Sequence, residues 1–585
     1  MTKRDDDGDR RRALTELDST LLVEAAAGTG KTSLLAGRVV MLLAGGAAPR
    51  SIAAITFTEL AAGELRQRIA HYLDALLSGT VPDELRLCIP SKLKAARRRS
   101  LEKASELLDE LTCSTIHGFC HDLLRTYSVE AAIDPGAEIL DRDQADFIFD
   151  AIFDHWWRDR LDEPRPADDP ITVVARKDPT GAEKLLRDFA KSRRRYRNAR
   201  PLSPDLDADA HLGFGENVRE FRRWYDRVGG PRDAESDIDD LETLATHFER
   251  SFAAGLDFAR LWDAAHPATL PLMRSRSFDL REYRRRSIWK RAKGDVEGGP
   301  LADKAEEHYA RCREAYGTLM GRIATAIISV FSSELDGLLA EYDAFKRRAA
   351  VMDFDDLLFT CREVLRRYPE VRAAAGEHFS RILVDEFQDT DPVQAEILFL
   401  LAGSDGAASA VWQERRLRPC QLFLVGDPKQ AIYRFRGADL ATYLGVRNAI
   451  EAQFPDNILR VTANFRSRPR ILEHINGCFA GPLAAQQAGY VALQGTRDDA
   501  DHGFPSVAKV SVDPDTGDDC DRRRRQDRFD RHSFAAIRCR RATDQTRGVA
   551  ERRPHAASLC NRPDCCRDRS DRGQGPGFFR HRAQA

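Results

Sequence analysis

The first clear pattern of apolar and polar positions begins at Leu21. There LLVEA is a short apolar run, and KTSLLAGRVVMLLAGG follows with helical spacing and ends at glycine. IAAITF repeats the first kind of segment and TELAAGELRQRIAHYLDALL the second. LTCST then leads into a helix beginning near His117. Short buried strands alternating with helices predict an α/β fold, a parallel sheet with right-handed crossovers. From about Val129 to Ala350 the texture changes. Strand-like runs become rare, and Arg- and Asp-rich stretches with helical spacing dominate, such as ELDGLLAEYDAFKRRAA. This predicts a mostly helical insertion. Strands return at RILVDE, QLFLVGD and ILRVTANF, so the first sheet is interrupted and then resumed. After about Ala500 no helical or strand period is visible, and arginine, aspartate, cysteine and histidine crowd together. Too little of that segment is apolar to offset its ordering entropy.

Composition narrows this picture only a little. The 585 residues are a soft prior for roughly three to four domains. A hydrophobic content of 42% is enough for a sizeable core. The net charge of −2 means that any nucleic-acid footprint must be a local patch. No apolar run reaches the roughly 18 residues that a membrane span needs, so no membrane partner is expected. The N-terminus, MTKRDDDGDRRR, lacks the apolar segment of a secretory signal. The 12 cysteines are scattered, which suits reduced thiols in the cytoplasm. Cys560, Cys565 and Cys566 do not have the spacing of a zinc finger.

Four segments carry chemistry. The first is Ala25-Ala26-Ala27-Gly28-Thr29-Gly30-Lys31-Thr32, set between an apolar strand and a helix. It is a phosphate-binding loop with alanine where the common pattern has its first glycine. Backbone N–H groups of the turn can still surround a phosphate. Lys31 would neutralise the β- and γ-phosphates of ATP, and Thr32 would ligate Mg²⁺. The second is Asp385-Glu386 at the end of the apolar run ILV. Asp385 would hold Mg²⁺ through water, and Glu386 would polarise the attacking water. The third is VGDPKQAIYRFRGAD, in which Gln430 is placed to sense the γ-phosphate. Tyr433, Phe435 and Arg436 suit either base stacking or ordinary core packing. The fourth is Asn464-Phe465-Arg466-Ser467, whose arginine could act across a domain cleft.

These pieces, in this order, resemble the UvrD-like superfamily 1 DNA helicases, and within them the RecB and AddA helicase–nuclease subunits. The loop AAAGTGKT resembles the family's own version, in which alanine commonly replaces the first glycine. ITFTELAAGELRQRI, STIHGFC, DEFQDTDPVQ, VGDPKQAIYRFRGAD and NFRSRPRIL resemble further family motifs, and VMDFDDLL precedes the DEFQ box as it does there. The resemblance implies a 3′→5′ ATP-dependent helicase or translocase acting in double-strand break repair and recombination. Its partners would be single-stranded and duplex DNA and a second subunit of a RecBCD- or AddAB-like complex. Phe57, Thr58, His117 and Phe435 would contact single-stranded DNA. Phe465 would stack on adenine, and Arg466 would reach the γ-phosphate.

The implied architecture is a RecA-like ATP-binding domain 1A from residues 1–124 and 351–454. A helical 1B insertion would occupy 125–350, part of a second RecA-like domain 2A would occupy 455–505, and 506–585 would be a disordered or aberrant tail. In the family 1B approaches duplex DNA. The basic stretches KSRRRYR and REYRRRSIWKRAKG fit that role or a solvated helix face equally. Two features depart from the family. The stretch GDRRRALTELD lacks the glutamine that often reads adenine. The 2B insertion, an "AKGLE"-like motif, a "LTRA"-like motif and a nuclease carboxylate cluster are not found. The alternative expectation is therefore a truncated chain that binds ATP or DNA without productive unwinding.

Overall fold

The computed structural model describes residues 5–497, apart from 91, 163, 198, 200–204, 254, 275–278, 405–410, 435–436 and 485–490. All of them belong to one compact unit, Met1–Val507, whereas the second unit, Ala508–Ala585, lies outside the described residues together with the expected tail.

The centre of the fold is a six-stranded sheet. Its strands are β1 (Leu21–Ala25), β2 (Ile52–Thr56), β3 (Thr112–Thr115), β4 (Arg381–Val384), β5 (Leu422–Gly426) and β6 (Ile458–Val461). The order across the sheet is β3-β2-β4-β5-β1-β6, and every pairing is parallel. A parallel sheet is covered on both faces, which is why its strands read as continuous apolar runs rather than alternating ones. Alternate residues of β1 confirm this. Leu21, Val23 and Ala25 enter one apolar core with helices Lys31–Ala44 and Glu59–Leu77. Leu22 enters the other, with helices Ile116–Thr126, Phe354–Arg367 and Pro392–Ala402. The expected α/β fold is the one observed.

Two expectations need correction. β6 pairs with β1 in register, Leu22 with Ile458 through Ala25 with Val461. The first sheet therefore runs past Phe454, where domain 1A was expected to end. Only after β6 does a separate parallel pair form, Ala463–Asn464 with Gln494–Gly495. The N-terminal segment, charged and without an apolar run, forms a helix, Asp7–Thr15, that buries Arg10, Ala13 and Leu14.

The insertion is helical, as its texture predicts, and has its own core around Phe149, Phe153, Phe221, Phe248, Trp289 and Tyr342. Its two ends meet where Glu138–Ile139 pairs in parallel with Val351–Met352. Just inside that neck, Lys346 is buried against both carboxylates of a capping box. Its ammonium lies 3.2 Å from Asp353 Oδ2 and 2.7 Å from both Asp356 oxygens. The long helix Arg286–Ala349, kinked at Gly294, includes a stretch long and apolar enough to cross a membrane, contrary to the expectation that no run reaches that length. Its Leu319, Ile323, Ile327 and Phe331 are instead buried in the core of the insertion. The two basic stretches are largely paired within the insertion and its neck. Arg193 binds Asp336 and Arg197 binds Asp356, while Arg285 grips Asp237 and Arg291 binds Asp233. This favours the solvated helix face over a free phosphate-binding face.

Candidate functional site

The candidate residues converge at the carboxyl edge of the sheet, where ligands of open α/β sheets lie. β1 ends at Ala25, which is buried and pairs with Val461 as an ordinary strand residue, so no glycine is required there. Ala26 and Ala27 lead into the turn. Gly28 and Gly30 take φ of +74° and +82°, and helix Lys31–Ala44 starts at once. A Cβ on Gly28 would lie 2.7 Å from Asn464 Nδ2 and 2.8 Å from Arg466 Cβ, so the glycine is fixed by both conformation and contact. Asn464 Nδ2 donates to Ala27 O at 2.6 Å, and Phe465 N donates to Gly28 O at 2.8 Å. The turn is also held from within, by Thr29 Oγ1 donating to Ala26 O at 2.6 Å.

Lys31 and Thr32, at the start of the helix, face the ends of β4 and β5. Lys31 Nζ donates to Glu386 Oε2 and lies 3.5 Å from Gln430 Oε1. Thr32 Oγ1 donates to Asp385 Oδ2 at 3.1 Å. A hydroxyl and a carboxylate at this spacing are a hard-oxygen donor pair suited to Mg²⁺. Asp385 is pushed up to about 6, first by burial and then by the neighbouring charge of Glu386. Glu386 has a φ of +50°, a left-handed conformation that costs of order 1–3 kcal/mol in a non-glycine residue. That turn takes it off the strand and toward Lys31.

Sequence reasoning missed Gln388. It donates to Glu386 Oε2 at 2.8 Å and accepts from Asp427 N at 2.8 Å, so one amide ties the end of β4 to the end of β5. Gln430 in turn donates to Asp427 Oδ2 at 2.7 Å. The available signal was the spacing in DEFQD, which places Gln388 two residues after Glu386. Beside the loop lies a cavity of about 550 Å³ lined by Gly28, Gly30, Arg10, Phe465 and Arg466. Phe465 and Arg466 thus come to the same cleft as the loop.

The expected DNA contacts fall on a neighbouring face. Phe57 stacks on Tyr433, with centroids 5.2 Å apart. His117 meets Phe354 edge-on at 5.6 Å, and Phe354 is half-exposed, a second aromatic to which the sequence assigned no role. Burial holds His117 below the ordinary histidine range, against the opposing charge of Glu59. Thr58 is the cap of helix Glu59–Leu77, its hydroxyl accepting from Ala61 N at 3.1 Å. Phe435 lies outside the described residues. A cleft of about 60 Å³ is lined by Phe57 and His117 together with Asp385, Glu386 and Asp389, so the aromatic face adjoins the carboxylates.

The UvrD/REP helicase N-terminal domain matches residues 7–451, more than half of the chain. The chain belongs to the UvrD/REP helicase family. Among curated relatives it is 29% identical to the RecBCD enzyme subunit RecB of Escherichia coli over 488 residues, 79% of this chain and 38% of that protein. It is 28% identical to the first of the subunits of the ATP-dependent helicase/nuclease of Moorella thermoacetica over 531 residues, 82% of this chain and 35% of that protein. The corresponding subunit of Natranaerobius thermophilus is 24% identical over 531 residues, 82% of this chain and 38% of that protein. The chain spans well under half the length of these relatives. By family, the described unit contains the N-terminal domain of an ATP-hydrolysing DNA helicase.

Proposed function

We propose that the chain is the ATP-driven motor of a 3′→5′ DNA helicase or translocase, paired with a second subunit in double-strand break repair. The observation that carries this reading is the convergence of Lys31, Thr32, Asp385, Glu386 and Gln430 at one sheet edge, adjoining the Phe57–His117 face. In this reading 1A is the six-stranded sheet with its helices, 1B is the helical insertion, and 2A begins after β6. The RecB and helicase/nuclease relatives support both the DNA substrates and the second polypeptide. The seven cysteines among the described residues are all free, which supports a reducing, cytoplasmic setting.

Each residue has a defined task. Lys31 exchanges the Glu386 carboxylate for the β- and γ-phosphates. Glu386, released from Lys31 but still held by Gln388, accepts the proton of the attacking water. Thr32 and Asp385 hold Mg²⁺, which bridges phosphate oxygens and neutralises their developing charge. Gln430 stands within reach of Lys31 and reports the γ-phosphate to the DNA side. Arg466 approaches from the opposite wall of the cleft. Phe57, Tyr433, His117 and Phe354 form the stacking face, with Phe435 in the same segment as Tyr433. Strand displacement on 3′-tailed and 5′-tailed duplexes tests the proposal, and displacement of the 3′-tailed duplex alone is expected. Nucleotide and DNA binding with no displacement of either duplex would favour a chain that holds both ligands without coupling them.

A further inference from the structure

We propose that the base pocket of this site does not select adenine and accepts guanine triphosphate about as well. The inference rests on the reading of the loop as a triphosphate site, and it concerns the cavity beside that loop.

A pocket selects adenine when it presents a donor and an acceptor together, because the adenine edge offers the N6 amino donor beside the N7 acceptor. Side-chain amides do this, and guanidinium and carboxylate groups do not. Among the described residues, the side chains lining the cavity include no asparagine or glutamine. What faces the cavity from the N-terminal helix is Arg10. It is 7% exposed, and its guanidinium carbon stands 5.0 Å from the centroid of Phe465. Its orientation is fixed. Arg10 Nε donates to Asp6 Oδ2 at 3.1 Å, and its NH2 group donates to Ala463 O at 3.1 Å. Asp6 Oδ2 also accepts from Thr462 N and Ala463 N, both at 2.9 Å, so the helix is bolted to the segment that carries Phe465.

A fixed, donor-only guanidinium matches the O6 and N7 acceptors of guanine, whereas adenine turns its amino donor toward it. The acceptors in the cavity are the carboxylates of Asp7, Asp83 and Glu84. They can take the amino group of adenine or the N1–H and N2–H₂ groups of guanine alike. Phe465 supplies a stacking platform that every base can use. Discrimination of several orders of magnitude needs a buried group left unpaired by the wrong substrate, and nothing lining this cavity is left unpaired by guanine alone.

The test is equilibrium displacement of a fluorescent ATP analogue from the full chain by ATP, GTP, ITP and CTP. GTP and ITP should displace it within about threefold of ATP, with CTP weaker because its ring stacks less. Separately, R10Q supplies the missing amide and should shift preference toward ATP by about tenfold. If R10Q fails to fold, F465A should weaken all four nucleotides without changing their order. A preference of wild type for ATP over GTP of tenfold or more would overturn the inference while leaving the triphosphate site intact. Failure of every triphosphate to displace the probe would overturn the reading of the loop itself.

Discussion

Replacing Lys31 by alanine isolates the group on which nucleotide binding most depends. In this structure the ammonium is committed to Glu386, with Lys31 nearly buried and the Glu386 side chain 35% exposed. Binding must break that pair. A pair exposed to this degree is worth only about 1 kcal/mol after solvent screening. Two charge-assisted contacts to phosphate oxygens supply about 1.5–2 kcal/mol each, or about 3–4 kcal/mol together. The difference of about 2–3 kcal/mol predicts that Lys31→Ala weakens ATP binding roughly 30- to 150-fold. Titration of a fluorescent ATP analogue into both proteins, with Mg²⁺ present, measures it. Circular dichroism of both proteins establishes that the variant is folded. Equal affinities in two folded proteins would refute the reasoning, because no other lysine or arginine stands at the start of the loop helix.

Glu386→Gln should retain ATP affinity within about threefold and lose at least a hundredfold in phosphate release, since an amide cannot accept the proton of the water; release at the wild-type rate would show that another group activates water. Burial and the charge of Glu386 raise Asp385 from 3.8 to about 6, so between these values the folded chain holds a proton that the unfolded chain has lost. The resulting destabilisation is absent below about pH 4, grows up to about pH 6 and is complete above it. Because Mg²⁺ takes the deprotonated form, nucleotide affinity in Mg²⁺ should fall by up to about tenfold per unit below pH 6, and more steeply in wild type than in Asp385→Asn; identical pH profiles would contradict the assignment. Phe57→Ala should weaken binding of an oligothymidylate by about 1–3 kcal/mol in fluorescence anisotropy, and an unchanged isotherm would remove Phe57 from the DNA face. Lys346→Ala leaves Asp353 and Asp356 buried without their cation and should cost about 3–5 kcal/mol in denaturant unfolding, whereas a loss below about 1 kcal/mol would show the neck of the insertion to be held otherwise.

What was legible in the sequence was local. LLVEA, IAAITF and RILVDE announce buried parallel strands because both faces of such strands are apolar. The loop is legible because Gly28, Gly30, Lys31 and Thr32 lie within five consecutive positions. The membership of β6 was not legible, because an apolar run of four residues does not say which sheet it joins. The hydrogen bonds that place it beside β1 link residues more than four hundred positions apart. Helix Asp7–Thr15 was hidden by charge. Its one buried charged residue, Arg10, is satisfied by Asp6 within the helix entry and by Ala463 far along the chain. The basic stretches looked like free phosphate binders for the same reason. Their partners, Asp336, Asp237 and Asp233, lie far along the chain from them. Gln388 and Phe354 sat inside recognised stretches, but their roles depend on what the fold sets against them, Asp427 in one case and His117 in the other.

The central claim is that the carboxylate site hydrolyses ATP in response to a strand lying on the adjoining aromatic face. Phosphate release by the purified chain, with and without single-stranded DNA, tests this most directly when wild type and Glu386→Gln are measured side by side. Release should rise with DNA in wild type and be lost in the variant under both conditions. Release that is indifferent to DNA and unchanged in Glu386→Gln would contradict the claim.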